Sequence, residues 1–277
     1  MTLREIIKNF DGRLTNADQR LVQALLANPN EGVFLSVQEV ASRASVHPTS
    51  AVRLAQKLGF SGYAELRVRL REEVISRSEP AGRMQQRLER LEHGSLKVFV
   101  DSEIAALAEL PTQISQHNIE AAAKILIGAE RIFLFGYGHA EVLVHLMDMR
   151  LSRSGYATRI VREPARHLAT ELSNMTAKDA LLLFEFGSVG AQVLAMLHHI
   201  KRIGARTVAI SDTTGLMLRP TPNVLLAASR GQEGEAQSLT VPMAICNNLV
   251  LIVSQLDGGR SIENLAAIGA MRKKLEI

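Results

Sequence analysis

Cysteine is almost missing from this chain of 277 residues: Cys246 is the only one. A lone cysteine excludes an intramolecular disulfide and any cysteine-based metal cluster, and its place in the apolar run 241–256 assigns it to the core rather than to redox chemistry. Long apolar runs are missing as well. No stretch reaches the ~18 residues needed to cross a bilayer, and the opening MTLREIIKNFDGR lacks the apolar centre of a secretory signal. The expectation is a cytoplasmic protein with no membrane partner. Internal repeats and low-complexity tracts do not stand out either, and 47% apolar residues are enough for a substantial core, which excludes a disordered chain. The length suggests about two domains.

What is present is concentrated first in residues 36–63, SVQEVASRASVHPTSAVRLAQKLGFSGY. Ser36 is a good N-cap, Glu39 completes a capping box, and Val37, Val40 and Ala41 recur at helical spacing, which predicts a helix over 37–44. After the turn Ser45-Val46-His47, Pro48 suits a first helical turn, and Ala51, Val52, Ala55 and Leu58 form a stripe that can pack on the first helix. Gly59 is expected to close this second helix. Its other face displays Thr49, Ser50, Arg53, Gln56 and Lys57, the mixture of hydroxyl, amide and cation that contacts phosphates and base edges in a major groove. Between residues 43 and 71, six Lys and Arg stand against one acid, Glu65, so this stretch alone carries a larger excess than the whole chain's +4. The DNA-binding candidates are Ser36, His47, Thr49, Ser50, Arg53, Lys57 and Tyr63. An ordinary helical hairpin with a solvated polar face would share the helical pattern. Upstream, Thr15 and Asp18 open a helix through Leu21, Val22, Leu25 and Leu26; downstream, Leu66, Leu70 and Val74 mark another whose arginines can follow the phosphate backbone.

The polar stretch 76–83, with Pro80 and Gly82, reads as a boundary, and 84–127 is helical in character. Beyond it, short apolar runs at 131–135, 157–161, 180–184, 207–210 and 224–227 alternate with helical segments at 140–153, after 187–190 and at 238–256. That order predicts a doubly wound, flavodoxin-like parallel five-stranded sheet behind an all-helical domain. In such sheets ligands bind beyond the carboxyl ends of the strands. The two loops placed there supply the ligand-binding candidates Gly136, Tyr137, Gly138, His139 and Ala140, and Glu185, Gly187, Ser188 and Gly190. Glu185 reads equally as a structural residue at a strand end, and His139 as a solvated helix start. A dinucleotide cofactor is not expected, because the third glycine of GxGxxG would fall on Glu141. Catalysis is not expected either: His139, His145, Glu185, Glu233 and Glu235 form no recognisable constellation, and the adjacent His198 and His199 do not share a helix face for a metal.

Residues 1–75 resemble the N-terminal domain of the RpiR family of bacterial transcription regulators, the specific part being Leu58-Gly59-Phe60-Ser61-Gly62-Tyr63. Residues 119–277 resemble the SIS (sugar isomerase) domain that such regulators carry, through the order of elements, the GxG of the first loop and the frame IKRIGARTVAIS at 200–211. The resemblance implies a domain at 1–77, connecting segments at 78–118 and a ligand-binding domain at 119–277. It also implies a phosphorylated sugar or another carbohydrate derivative held by loop hydroxyls. The chain departs from that pattern: Ala140 stands at the serine of the first loop, and Glu185, Gly187, Ser188 and Gly190 stand at the Ser, Ser, Gly and Thr of the second. An ionised Glu185 beside a phosphate costs about 1 kcal/mol at ~4 Å even in water-like dielectric. An anion would then require Glu185 to turn away or to pair with Arg162 or Arg166; the alternative is an amine or hydroxyl-bearing ligand recognised by Glu185 and His139. The expected function is a regulator that binds a double-stranded operator, an inverted repeat, as a homo-oligomer (dimer or tetramer) and responds to a small-molecule effector. The alternatives are a sugar-phosphate isomerase and an oligomerisation module that senses nothing.

Overall fold

A computed structural model of the chain describes every residue except 1–2, 11, 13, 28–34, 79, 91–94, 162–164, 188, 232–236 and 277. The described residues divide into two compact units, one within 1–94 and one from 95 onward.

The first unit is all helical: α1 (Leu3–Lys8), α2 (Asn16–Ala27), α3 (Val37–Arg43), α4 (Pro48–Lys57), α5 (Tyr63–Ser78) and α6 (Pro80–Arg90). Local chemistry sets its ends. The Thr15 amide donates to Asp18 Oδ2 at 2.9 Å while Asp18 N–H donates to Thr15 Oγ1 at 3.2 Å, opening α2. The capping box of α3 forms as its spacing predicts, with Ser36 N–H on Glu39 Oε2 (2.7 Å) and Glu39 N–H on Ser36 Oγ (3.3 Å). Both α3 and α4 close in the same way. Val46 N–H returns to the Ala41 carbonyl and Ser45 N–H to Ser42; Phe60 N–H returns to Ala55 and Gly59 N–H to Gln56, the paired bonds of a Schellman motif. Each motif needs a left-handed residue, which Gly59 (φ 92°) and Ser45 (φ 51°) supply. Leu21, Leu25, Val40, Ala51, Leu54, Ala55, Leu66 and Leu70 meet in one core. The stretch expected as a polar boundary, 76–83, is helical on both sides of residue 79, because Pro80 suits a helix's first position and good helix formers follow.

The second unit begins with α7 (Leu96–Gln113) and α8 (Gln116–Ile127) and then alternates: β1 (Ile132–Phe135), a single 3-10 turn (Gly138–Ala140), α9 (Glu141–Arg153), β2 (Thr158–Ile160), α10 (Ala165–Ser173), β3 (Ala180–Glu185), α11 (Ala191–Ile203), β4 (Arg206–Ser211), a second 3-10 turn (Thr213–Met217), β5 (Val224–Ala227), α12 (Thr240–Leu256) and α13 (Arg260–Leu275). The strands form one parallel sheet in the order β2-β1-β3-β4-β5. Successive side chains leave a strand on opposite faces, so each strand feeds two cores. Ile132, Leu134, Leu182, Phe184, Val208 and Ile210 pack with residues of α8, α9 and α12. Phe133, Phe135, Leu181, Leu183 and Ala209 pack with residues of α10 and α11. Helices on both faces bury all of β3, which explains its unbroken apolar run up to Glu185. The doubly wound, flavodoxin-like sheet is the architecture that the alternation of elements predicts. Two helices of this unit lie outside the sequence reading, α10 and α13, as α1 does in the first. Helix α10 is short, though Leu168 and Leu172 do carry a stripe into the core, and the apolar Ile262, Met271 and Leu275 of α13 face outward, so α13 offers no buried stripe by which a helix is read. Among the described residues no single helix is long and apolar enough to cross a membrane.

Candidate nucleic-acid surface and ligand site

Helix α4 turns Ala51, Leu54 and Ala55 inward, and the residues between them therefore face out. Thr49, Arg53 and Gln56, spaced at i, i+4 and i+7, are exposed on one side of it. No hydrogen bond or ion pair holds Arg53 among the described residues, which leaves its guanidinium available to a partner. His47 and Thr49 stand at the entrance: His47 is the N-cap, its Nδ1 accepting the Thr49 amide at 3.3 Å. Ser50 is half-buried in the first turn, and Ser36 sits at the start of α3, its hydroxyl committed to the capping box. Two candidates are turned to other work. Lys57 Nζ lies 2.6 Å from Asp18 Oδ2, tying the end of α4 to the start of α2. Burial opposes the charge on Asp18, but hydrogen bonds from Lys57 and Thr15 outweigh it and hold the carboxyl below its ordinary range. Tyr63 is corrected from groove contact to core: it is 6% exposed and its hydroxyl donates to the Leu35 carbonyl at 3.3 Å, because the first residue of α5 faces the shared core.

In the second unit the order 2-1-3-4-5 places a switch point between β1 and β3, whose carboxyl ends open a crevice. Glu185 ends β3 there and is 0% exposed. The Tyr137 hydroxyl donates to its Oε1 at 3.3 Å, while Oε2 is buried with no hydrogen-bond partner among the described residues. Burial pushes the carboxyl up to about 7; the charge of Asp212 adds to the rise, and the Tyr137 hydroxyl and Gly190 amide oppose it. Asp212 follows β4 directly. It accepts the Gly187 amide (2.9 Å), the Thr214 amide (3.0 Å) and Arg230 Nη2 (3.0 Å). Burial works against this second carboxylate too, but the Thr214 and Arg230 hydrogen bonds outweigh it and keep its titration below the ordinary value. Arg230, 7% exposed, lies over the Phe186 ring with its guanidinium carbon 4.5 Å from the centroid. Its Nη1 is 3.4 Å from His139 Nε2, and His139 stacks on Phe186 at 6.3 Å.

Of the loop candidates, Tyr137, His139, Glu185 and Gly187 are brought together at these strand ends. Gly138 and Gly187 hold positive φ (60° and 86°) beside them, and Gly190 caps the start of α11. Gly136 and Ala140 serve packing instead. A Cβ on Gly136 would meet Phe184 Cβ at 3.0 Å and Ala140 Cβ at 3.3 Å, and Ala140 is itself in the core, so the chain passes too close to β3 for either to line a pocket. Ser188 and Arg162 lie outside the described residues, as does the side chain of Arg166. Asp212, Arg230 and Phe186 are absent from the sequence reading. Each stands within three residues of a strand's carboxyl end, which is the signal that marks them.

Residues 1–77 match the family model for the helix-turn-helix domain of the rpiR family. Residues 1–77 therefore carry a helix-turn-helix domain of the rpiR type. Among curated relatives the chain is 28% identical over 216 residues, 76% of each chain, to the uncharacterized HTH-type transcriptional regulator YfhH of Escherichia coli (strain K12). It is 25% identical over 233 residues, 83% of this chain and 85% of the other, to the HTH-type transcriptional regulator GlvR of Bacillus subtilis (strain 168). Its fold matches the sugar isomerase domain of an RpiR transcription factor from Sphaerobacter thermophilus, with a TM-score of 0.58 and 20% identity over 63% of this chain and 97% of that one. It also matches Vibrio vulnificus NanR, whose structure is a complex with ManNAc-6P, with a TM-score of 0.58 and 16% identity over 99% and 98% of the two chains. The sheet domain therefore has the SIS fold.

Proposed function

We propose that this RpiR-family protein is a metabolite-responsive transcription regulator that reads an operator with the outer face of α4. The observation that carries the reading is the exposed set Thr49, Arg53 and Gln56 on a helix whose opposite face is buried, with Arg53 uncommitted among the described residues. Hydroxyl, guanidinium and amide are the groups that discriminate base edges, and each good bidentate pair is worth about 1–3 kcal/mol against a wrong base. The operator is an inverted repeat read by a dimer or a pair of dimers, since two-fold protein symmetry is matched by two half-sites. The effector is a small carbohydrate derivative bound in the crevice of Tyr137, His139 and Glu185; the NanR complex supports that ligand class. The protein acts in the cytoplasm, where its DNA is.

A gel-shift titration on upstream DNA, repeated at rising salt, tests the reading. Affinity falls steeply with salt in the wild type, because bound phosphates release counterions. Arg53→Ala abolishes the preference for operator over random DNA. An unchanged footprint in that variant would show that α4 is not the reading helix.

A further inference from the structure

The carboxyl ends of β1, β3 and β4 are rich in hydrogen-bond donors, yet those donors already serve two acids. The Gly187 amide and the Thr214 amide and hydroxyl all point to Asp212. The Tyr137 hydroxyl points to Glu185. The one buried guanidinium near them, Arg230, is spent on Asp212 and covered by Phe186. Besides Arg230 Nε, a buried donor with no hydrogen bond among the described residues, what is left over is an acceptor: Glu185 Oε2, fully buried at the strand end, with no donor among the described residues. A buried oxygen without a partner is costly to the protein and marks a place where a ligand's hydrogen belongs. A phosphate, largely dianionic at neutral pH, would meet two carboxyls whose local cation is already neutralised.

We infer that the crevice takes an unphosphorylated ligand that presents a hydroxyl or ammonium hydrogen to Glu185 Oε2, and that it discriminates against the phosphorylated form. This rests on the reading of the crevice as the effector site. Among the described residues Tyr137 and Asp212 act directly on the Glu185 carboxyl, and Asp212 in turn holds Arg230, whose Nη1 is 3.4 Å from His139 Nε2. Discrimination against phosphate is strongest above the Glu185 titration, near 7, where the carboxyl is ionised, and relaxes below it, where the protonated acid can itself donate.

The test uses the full chain at about pH 8, one unit above that titration. Isothermal titration is run with glucose, glucosamine, galactose, mannose, N-acetylmannosamine and the 6-phosphate of each, and with inorganic phosphate, on wild type, Glu185→Gln and Glu185→Ser. The expected result is that a free sugar binds wild type at least about ten-fold more tightly than its own 6-phosphate. Glu185→Ser reverses that order, and Glu185→Gln, of the same shape but uncharged, loses the discrimination while remaining folded. A wild type that binds a 6-phosphate or inorganic phosphate more tightly than the free sugar overturns the inference and leaves the effector site standing. Equal discrimination in all three proteins overturns it as well. Binding of no probe by any of the three proteins removes the effector site and the inference together.

Discussion

A carboxyl with no exposed surface beside a second carboxylate is expensive to ionise, and Glu185 is held up to about 7 for that reason, above its ordinary 4.5. Between those two values the native chain keeps a proton that the unfolded chain has released. Stability therefore falls as pH rises through this window and levels off above it. Asp212, held below 3.8, titrates outside the window and adds no slope there. At 1.36 kcal/mol per unit the penalty reaches about 3 kcal/mol, an upper bound. Glu185→Gln is expected to raise unfolding stability by up to that amount at about pH 8, with the advantage vanishing below about pH 4.5. Urea denaturation of both proteins across that range measures it, and parallel curves would mean that Glu185 is solvated after all. Tyr63 supplies a contrasting case. Its hydroxyl holds the Leu35 carbonyl inside the helical unit, so Tyr63→Phe is expected to cost about 1 kcal/mol of stability while leaving operator affinity and its salt dependence unchanged. A weakened gel shift in a stable Tyr63→Phe protein would return that residue to the DNA surface.

The elements of the helical unit were legible because their ends are written in side chains. Thr15 with Asp18 and Ser36 with Glu39 are reciprocal caps three residues apart, and Pro48 and Gly59 bracket α4. What periodicity could not assign was the orientation of residues just beyond those ends. Tyr63 and Lys57 both lie on the basic stretch by sequence, yet one is turned into the core and the other is bonded to Asp18. The turn between α3 and α4 carries strain that a sequence can betray only indirectly. Ser45 takes the left-handed position of a Schellman motif, which suits glycine, whereas Gly59 fills the equivalent place after α4. Ser45→Gly is expected to stabilise the unit by up to about 1 kcal/mol, and Ser45→Val to destabilise it by about 1–2 kcal/mol. Thermal unfolding of the two variants checks the sign. A loss of stability on Ser45→Gly would mean that the serine side chain makes a contact worth more than the backbone strain.

At the scale of the whole molecule, a regulator needs its two sites to share free energy, not contacts. If the effector changes operator affinity by some factor, operator DNA must change effector affinity by the same factor, typically about 5- to 150-fold. Titrating effector into the protein with and without saturating operator, and operator with and without effector, is expected to return equal ratios. A ratio of one in both directions would leave a DNA-binding protein with an uncoupled pocket. The sequence by itself determined most of the helical unit, α4 included, through caps and spacing that act between near neighbours. The same local signals, with the alternation of apolar runs, determined the parallel sheet and the place of the crevice at its strand ends. Only the tertiary structure decided which side chains occupy that crevice. Asp212, Arg230 and Glu185 come from three different strand ends, and Gly136 and Ala140 are withdrawn because the chain passes within packing distance of Phe184. Burial and charge pairing arise between residues remote in sequence, so whether Glu185 is an exposed anion or a buried acid lacking a partner for one oxygen was settled by packing.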